Sequence, residues 1–240
     1  MKILFTGGGS GGHFYPIIAV VEALNDLVRE RKLLEPELIY AAPDPYDREM
    51  LIANGIRFVP TSAGKIRNYF SILNFFDYFK TAWGVLRSVL RVFFLYPDVV
   101  FGKGGYASFP TLLAAKLFKI PVVIHESDST PGRVNRWAGT FAQKIAVSFP
   151  EAAHYFPKDK VAYTGNPVRK SILIVLERRV VPQYHLGPVR TILKVCVAGL
   201  VYYLVFFQKL RKGRKQSFVE RLRALRASGH VYDRHLFVEL

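Results

Sequence analysis

Near the start of the chain, Gly7 to Gly12 read Gly-Gly-Gly-Ser-Gly-Gly, and His13 follows at once. Glycines in such a run accept positive φ and let backbone N–H groups come close to a ligand. An imidazole beside them titrates near neutral pH and can take a substrate proton. The apolar residues Ile3 to Phe5 predict a short buried strand before the run, while Ile17, Ile18, Val20, Val21, Leu24, Leu27 and Val28 recur at helical spacing after it. The loop therefore joins a strand to a helix N-terminus, where phosphate or pyrophosphate is the natural guest. Pro16 suits the first helical turn. Gly7, Gly9 and Gly12 also satisfy G-x-G-x-x-G, so a dinucleotide site and a ligand-free turn stay open; Asp44 is a poor candidate for the ribose-binding acid.

Three further segments carry residue types that do chemistry. Gly102-Lys-Gly-Gly-Tyr106 follows another apolar run; Gly104 and Gly105 expose backbone donors, Lys103 adds charge and Ser108 reads as a helix cap, which together suit a second phosphate position. Tyr106 is open between packing across a cleft and meeting substrate. His125-Glu126 closes a strand-like run and precedes Asp128 and a helical stretch with Asn135, so two titratable groups meet the ligand rim. Thr164-Gly-Asn-Pro-Val-Arg169 places Asn166 and a guanidinium after the last strand-like run, where Arg169 can aim at a diphosphate.

The elements that must position these loops alternate along the chain. Leu38 to Ala42, Ile56 to Val59, Asp98 to Phe101, Val122 to His125, Lys144 to Val147 and Val161 to Thr164 read as strands; Asp47 to Asn54, Ser108 to Phe118, Gly132 to Ala142 and Pro150 to Tyr155 read as helices. This order predicts an α/β fold, a Rossmann-like doubly wound parallel sheet over residues 1–169, with the four loops on one rim beyond the carboxyl ends of the strands. Half of the 240 residues are hydrophobic, enough for a sizeable core. The single cysteine, Cys196, forms no internal disulfide and fits a reducing compartment. Ile3 to Phe5 is too short for the apolar region of a signal peptide, which points to the cytoplasm.

Gly7 to His13 with Tyr15-Pro16, Gly102 to Tyr106, Ile124-His-Glu126 and Thr164 to Arg169, in this order and spacing, resemble the MurG family of peripheral-membrane glycosyltransferases. The resemblance covers about the first 170 residues. It implies the acceptor-binding N-terminal half of a two-domain GT-B enzyme that moves N-acetylglucosamine from UDP-N-acetylglucosamine to a muramyl-pentapeptide carried on pyrophosphoryl-undecaprenol. The transfer inverts the anomeric carbon and uses neither a redox cofactor nor, on this reading, a metal. Ser10, Gly11 and Gly12 match donor contacts, Arg169 matches an arginine at the nucleotide, and Asp128 stands where the family usually has Asn. His13, Tyr106, His125 and Glu126 fall on cleft positions that meet the acceptor or help its hydroxyl attack, His13 as the base polarised by the His125–Glu126 pair.

Residues Lys65 to Lys80 are aromatic, basic and nearly acid-free, and the pattern continues through Trp83, Arg87, Arg91, Phe93 and Phe94. They fit either core helices with solvated cationic faces or a surface that dips Ile66, Tyr69, Phe70, Phe75 and Phe76 into an interface while Lys65, Arg67 and Lys80 meet anionic inner-leaflet lipids. With no 20-residue apolar span there, attachment is expected to be peripheral, at the cytoplasmic face of the plasma membrane.

Residues 170–240 depart from the family pattern. The formal net charge is +16, yet residues 1–169 hold 20 Lys plus Arg against 14 acidic residues, and residues 170–240 hold 14 against 4. The second domain's glycine-rich loop is missing; instead come the apolar run Val195 to Phe207, the basic cluster Lys209 to Lys215 and an arginine-rich stretch Ser217 to Ala227. A truncated or frame-shifted tail and a membrane-inserted variant both fit. Nucleic acid is not an expected partner, because the basic cluster comes without an accompanying fold motif. A chain without the donor half should bind UDP-N-acetylglucosamine weakly, which leaves open an inactive membrane-surface module that binds the lipid-linked acceptor or a partner.

Overall fold

The computed structural model describes residues 1–8, 10–63 and 72–172, with side chains from 79 and 81–172 in the last stretch. Seven short apolar segments make strands: β1 Lys2–Thr6, β2 Glu37–Ala42, β3 Ile56–Pro60, β4 Val99–Gly102, β5 Val122–Glu126, β6 Lys144–Val147 and β7 Val161–Tyr163. They form one sheet in the order β3-β2-β1-β4-β5-β6-β7, every neighbouring pair parallel. The helices are α1 Gly11–Glu30, α2 Arg48–Ala53, α3 Ile72–Leu95, α4 Phe109–Leu117 and α5 Arg133–Gly139. The expected Rossmann-like α/β sheet is therefore present. The order reverses at β1 and β4, the place where such sheets take ligands.

Parallel strands covered on both faces read as continuous apolar runs, and β4 and β5 are buried along their whole length. Side chains alternate between two cores. Leu4, Ile39, Ala41, Val100, Val122, Ile124, Ile145 and Val147 pack with Val92 of α3, Leu112, Ala114 and Ala115 of α4 and Ala138 of α5. Phe5 meets Phe101 on the neighbouring strand with ring centroids 5.7 Å apart, and α1 buries Ile17, Ile18, Val21 and Leu24. Each such fully buried side chain contributes about 1.5–3 kcal/mol.

Local signals explain most boundaries. Asp47 caps α2 by accepting the Met50 amide at 2.9 Å. Other expectations shift: Pro16 is the sixth residue of α1 rather than first-turn, so the Gly12 carbonyl lacks its usual i+4 donor. The Gly132 to Ala142 helix is limited to α5, and Pro150–Tyr155 is a 3₁₀ turn. Lys65, Ile66, Arg67, Tyr69 and Phe70 lie outside the described residues, as do the side chains of Phe75, Phe76 and Lys80 and the tail beyond residue 172.

Candidate functional site

The loops after β1 and β4 meet at the order reversal. Ser10 precedes α1 in extended conformation and makes no side-chain cap; its carbonyl accepts the His13 and Phe14 amides at 3.1 and 3.3 Å. The amides of Gly11 and Gly12 have no acceptor among the described residues and sit at the positive end of a 20-residue helix. From β2, the buried Tyr40 hydroxyl donates to the Gly7 carbonyl at 2.8 Å and fixes the first loop from below. Burial and the nearby Asp44 raise the Tyr40 phenol above its ordinary value, so it stays a donor.

The second loop closes over His13. Gly105 has φ 79° and ψ 158°, a conformation essentially reserved for glycine. A Cβ there would stand 2.9 Å from both the Gly8 carbonyl oxygen and His13 Nε2, so ring and backbone are in direct contact. Burial, and then the positive Lys103, push the His13 imidazole below its ordinary value; its backbone contact with Lys103 and the charges of Glu126 and Asp128 oppose them. The ring is thus neutral at neutral pH and has a lone pair to accept a proton.

Behind this contact the polar residues of β5 are spent on holding loops. His125, 1% exposed, directs Nε2 at the Gly165 carbonyl, 3.1 Å away, with Ser148 Oγ at 3.5 Å. Burial drives its pKa down to about 3, so it is a neutral ring that donates to Gly165. Glu126, 4% exposed, accepts the amides of Asp128 (3.0 Å) and Gly132 (3.2 Å) and the Asn135 side-chain amide (2.9 Å). Asn135 also donates to the His125 carbonyl at 3.1 Å. The expected polarisation of His13 by the His125–Glu126 pair has no hydrogen bond behind it among the described residues.

Lys103 does not reach the rim surface either. It is 2% exposed, and its ammonium donates to Ser127 Oγ at 2.6 Å. Burial lowers its pKa to about 8, opposed by Glu126 and Asp128. Ser127 Oγ donates to Asn166 Oδ1 at 2.7 Å, and Ser148 Oγ donates to the same oxygen at 2.8 Å. Beyond Asn166 the chain crosses back to α1. The Arg169 guanidinium lies 4.0 Å from the Tyr15 ring centroid with Nη1 3.7 Å from Met50 Sδ. Its Nε is buried without a partner. Lys170 then bonds Glu22 through its amide at 2.9 Å and Asp26 through its ammonium at 2.6 Å.

The rim thus gathers Ser10, Gly11, Gly12, His13, Gly104, Gly105 and Tyr106 at β1 and β4, Asp128 and Asn135 after β5, and Asn166 and Arg169 after β7. Ser10, Gly12, Asp128 and Asn166 are exposed, while Gly11, His13, Tyr106 and Arg169 are half-buried. Ser108 is buried and caps nothing; its hydroxyl donates back to the Gly105 carbonyl at 2.8 Å. Sequence reasoning missed Ser127 and Ser148, whose only signal was that each follows the end of a parallel strand. Among the described residues no cluster of three or more His, Cys, Asp or Glu side chains is placed to hold a metal ion.

With this geometry in hand, comparison with known proteins is specific. Residues 3–147 match the glycosyltransferase family 28 N-terminal domain. The chain is 40% identical over 172 residues to a Bacillus cereus UDP-N-acetylglucosamine--N-acetylmuramyl-(pentapeptide) pyrophosphoryl-undecaprenol N-acetylglucosamine transferase, covering 72% of this chain and 47% of that one. A Clostridium botulinum transferase of the same name is 39% identical over the same shares. The chain therefore spans about half the length of the curated relatives it matches. Among solved structures, MurG of Acinetobacter baumannii superposes with a TM-score of 0.52 at 23% identity, over 75% of this chain and 54% of that one, a likeness of fold. A sheet reversing at β1 and β4, two glycine loops meeting there, and a family match running from β1 through β6 lead to one conclusion: this chain belongs to glycosyltransferase family 28, through that family's N-terminal domain.

Proposed function

We propose that the chain serves N-acetylglucosamine transfer from UDP-N-acetylglucosamine to the C4 hydroxyl of a muramyl-pentapeptide on pyrophosphoryl-undecaprenol, the acceptor being held at the rim described above. The substrates are those in the names of the Bacillus cereus and Clostridium botulinum relatives. The observation that carries the reading is the seat of His13, a neutral imidazole at a helix N-terminus pressed against Gly105. In the reaction His13 accepts the C4 hydroxyl proton as the oxygen attacks the anomeric carbon, the bond from that carbon to the diphosphate breaks with inversion, and the departing UDP is stabilised by the α1 amides and Arg169. His125 and Glu126 act here as positioning residues, and Asp128 offers an acceptor where an amide would also donate.

The acceptor's lipid calls for a membrane-facing surface, and α3 supports one. Phe79, Trp83, Leu86, Leu90 and Phe93 are 50–62% exposed and recur every three or four residues along one stripe, with Phe94 at 80% beside it. Arg87 lies 5.4 Å from the Trp83 ring centroid, a cation beside the apolar stripe. No helix among the described residues is long and apolar enough to cross a membrane. The exposed stripe and Arg87 support peripheral docking to anionic lipids, at the cytoplasmic face on this reading. The same stripe favours a second reading, an inactive module that binds the lipid-linked acceptor.

The test is transfer of labelled N-acetylglucosamine by the 240-residue chain to a lipid-linked muramyl-pentapeptide. Turnover that falls about 10²- to 10⁴-fold in His13→Ala supports the assignment. Acceptor binding without any turnover favours the second reading, and turnover unchanged by His13→Ala removes His13 as the base.

A further inference from the structure

The buried lysine is unused by this mechanism, and its position is unusual. A lysine 2% exposed normally has a carboxylate against its ammonium. Here the nearest carboxylate of β5, Glu126, is occupied by three N–H donors, and Asp128 is exposed. Lys103 instead bonds a neutral hydroxyl, Ser127, which leads to Asn166 on the segment leaving β7.

We propose that Lys103 is a positioning residue that clamps the segment 164–170 across the rim, acting through Ser127 and Asn166 and thereby fixing the seat of Arg169 on Tyr15. The direction of the hydrogen bonds follows from the chemistry. A lysine ammonium only donates, so Ser127 accepts from it and spends its one proton on Asn166 Oδ1, where Ser148 donates as well. The Gly165 carbonyl, accepting from His125, secures the neighbouring residue. Four residues on, Arg169 stacks on Tyr15, and Lys170 engages Glu22 and Asp26 of α1. The segment is thus fastened at β5 and β6 on one side and at α1 on the other, and Lys103, rooted at the end of β4, stands between. This role does not depend on which sugar nucleotide or acceptor the chain serves.

The charge on Lys103 strengthens its bond to Ser127, since charge-assisted hydrogen bonds are about twice as strong as neutral ones. The titratable and charged groups facing it are His13 on α1 and His125, Glu126 and Asp128 on β5 and its following loop. Both histidines are held below their ordinary value and stay neutral from pH 7 to 10. Loss of the Lys103 proton above about pH 8 therefore weakens the clamp. Global stability moves the other way: the folded pKa lies below the unfolded one, so between about pH 8 and 10.5 the unfolded chain holds more protons and folding becomes more favourable as pH rises. A buried lysine that merely fills space would shift global stability with pH in the same way but would leave the protection of this segment unchanged.

Hydrogen exchange of the full chain, read by mass spectrometry and divided by the intrinsic rate at each pH, separates the two. The segment's bonded amides are Thr164, on the Val147 carbonyl, and Lys170, on the Glu22 carboxylate. Their protection is expected to fall about tenfold in Lys103→Met and in Ser127→Ala, with β1 and β4 amides unchanged in the second variant. In the wild type, protection of these two amides should fall as pH rises through about 8 while the core gains protection, and the fall should vanish in Lys103→Met. Should Lys103→Met lose its fold, Ser127→Ala decides, because it keeps the lysine and cuts only the link to Asn166. Wild-type protection of Thr164 and Lys170 in Ser127→Ala, or wild-type protection of both indifferent to pH between 7 and 9.5, overturns the proposal.

Discussion

Alanine at Gly105 tests the contact on which the site is built. The residue's φ of 79° and ψ of 158° carry a penalty of about 1–3 kcal/mol for any residue with a side chain. The added Cβ would also stand 2.9 Å from the Gly8 carbonyl oxygen and from His13 Nε2, so backbone or imidazole must yield. Overpacking of that kind adds about 1 kcal/mol or more, for a total of about 2–4 kcal/mol. In a chain of this size that lowers Tm by about 5–15 °C. Two other glycines isolate the contributions. Gly55 has φ +68° with nothing within 4 Å of an added Cβ, so Gly55→Ala should show the backbone penalty alone, about 1–2 kcal/mol. Gly132 has φ −63° and equally open space, so Gly132→Ala should stay within about 0.5 kcal/mol of wild type. Urea unfolding of the three variants, with free energies by linear extrapolation, gives the comparison. If Gly105→Ala is no less stable than Gly55→Ala, the two glycine loops do not meet as described and His13 is not seated by the second loop.

Glu126→Gln replaces one acceptor oxygen with a donor facing three N–H groups, and urea unfolding should show a loss of about 2–3 kcal/mol. His125, neutral when folded with a pKa of about 3, takes up a proton more readily when unfolded, near pH 6.5, so its contribution is whole above that value and is lost as pH falls toward 3. Thermal melts from pH 7 to 4 should therefore fall more steeply in wild type than in His125→Gln, and parallel curves would show that the ring is not desolvated. Trp83→Glu with Leu90→Glu should abolish flotation with anionic vesicles while leaving Tm within about 2 °C, as expected of exposed side chains; charge reversal at Lys65 and Arg67 should weaken flotation as well.

Much of this architecture is legible in the chain because parallel strands buried on both faces must be short apolar runs, and glycine-rich breaks must fall at their ends. Ile3 to Phe5 followed by Gly7, and Val99 to Phe101 followed by Gly102, Gly104 and Gly105, are unambiguous in that sense. What the sequence hides is the direction of a side chain. Lys103 sits among glycines and reads as a cation for a second phosphate position, but its long stem turns inward to Ser127, an acceptor 24 residues away that itself donates to Asn166. Ser108 reads as a cap, yet the 3₁₀ turn Tyr106–Ser108 runs straight into α4, and its hydroxyl finds a nearer carbonyl. In α3 the residues divide between two faces that the composition does not separate: Gly84, Ser88 and Val92 face inward, and Trp83, Leu86 and Leu90 face outward.

The segment after β7 also has a kinetic meaning. It bonds Glu22 through a residue 148 positions later, and it touches Ser127 and Ser148 at nearly the same point. Contacts of such long sequence separation close only after the intervening chain is ordered, which means that both halves of the sheet must be in place first. Seating of residues 164–170 is therefore expected to be the closing event of folding for this unit and the earliest to reverse under denaturant. A protease that cuts there reports whether the sheet has been assembled from edge to edge.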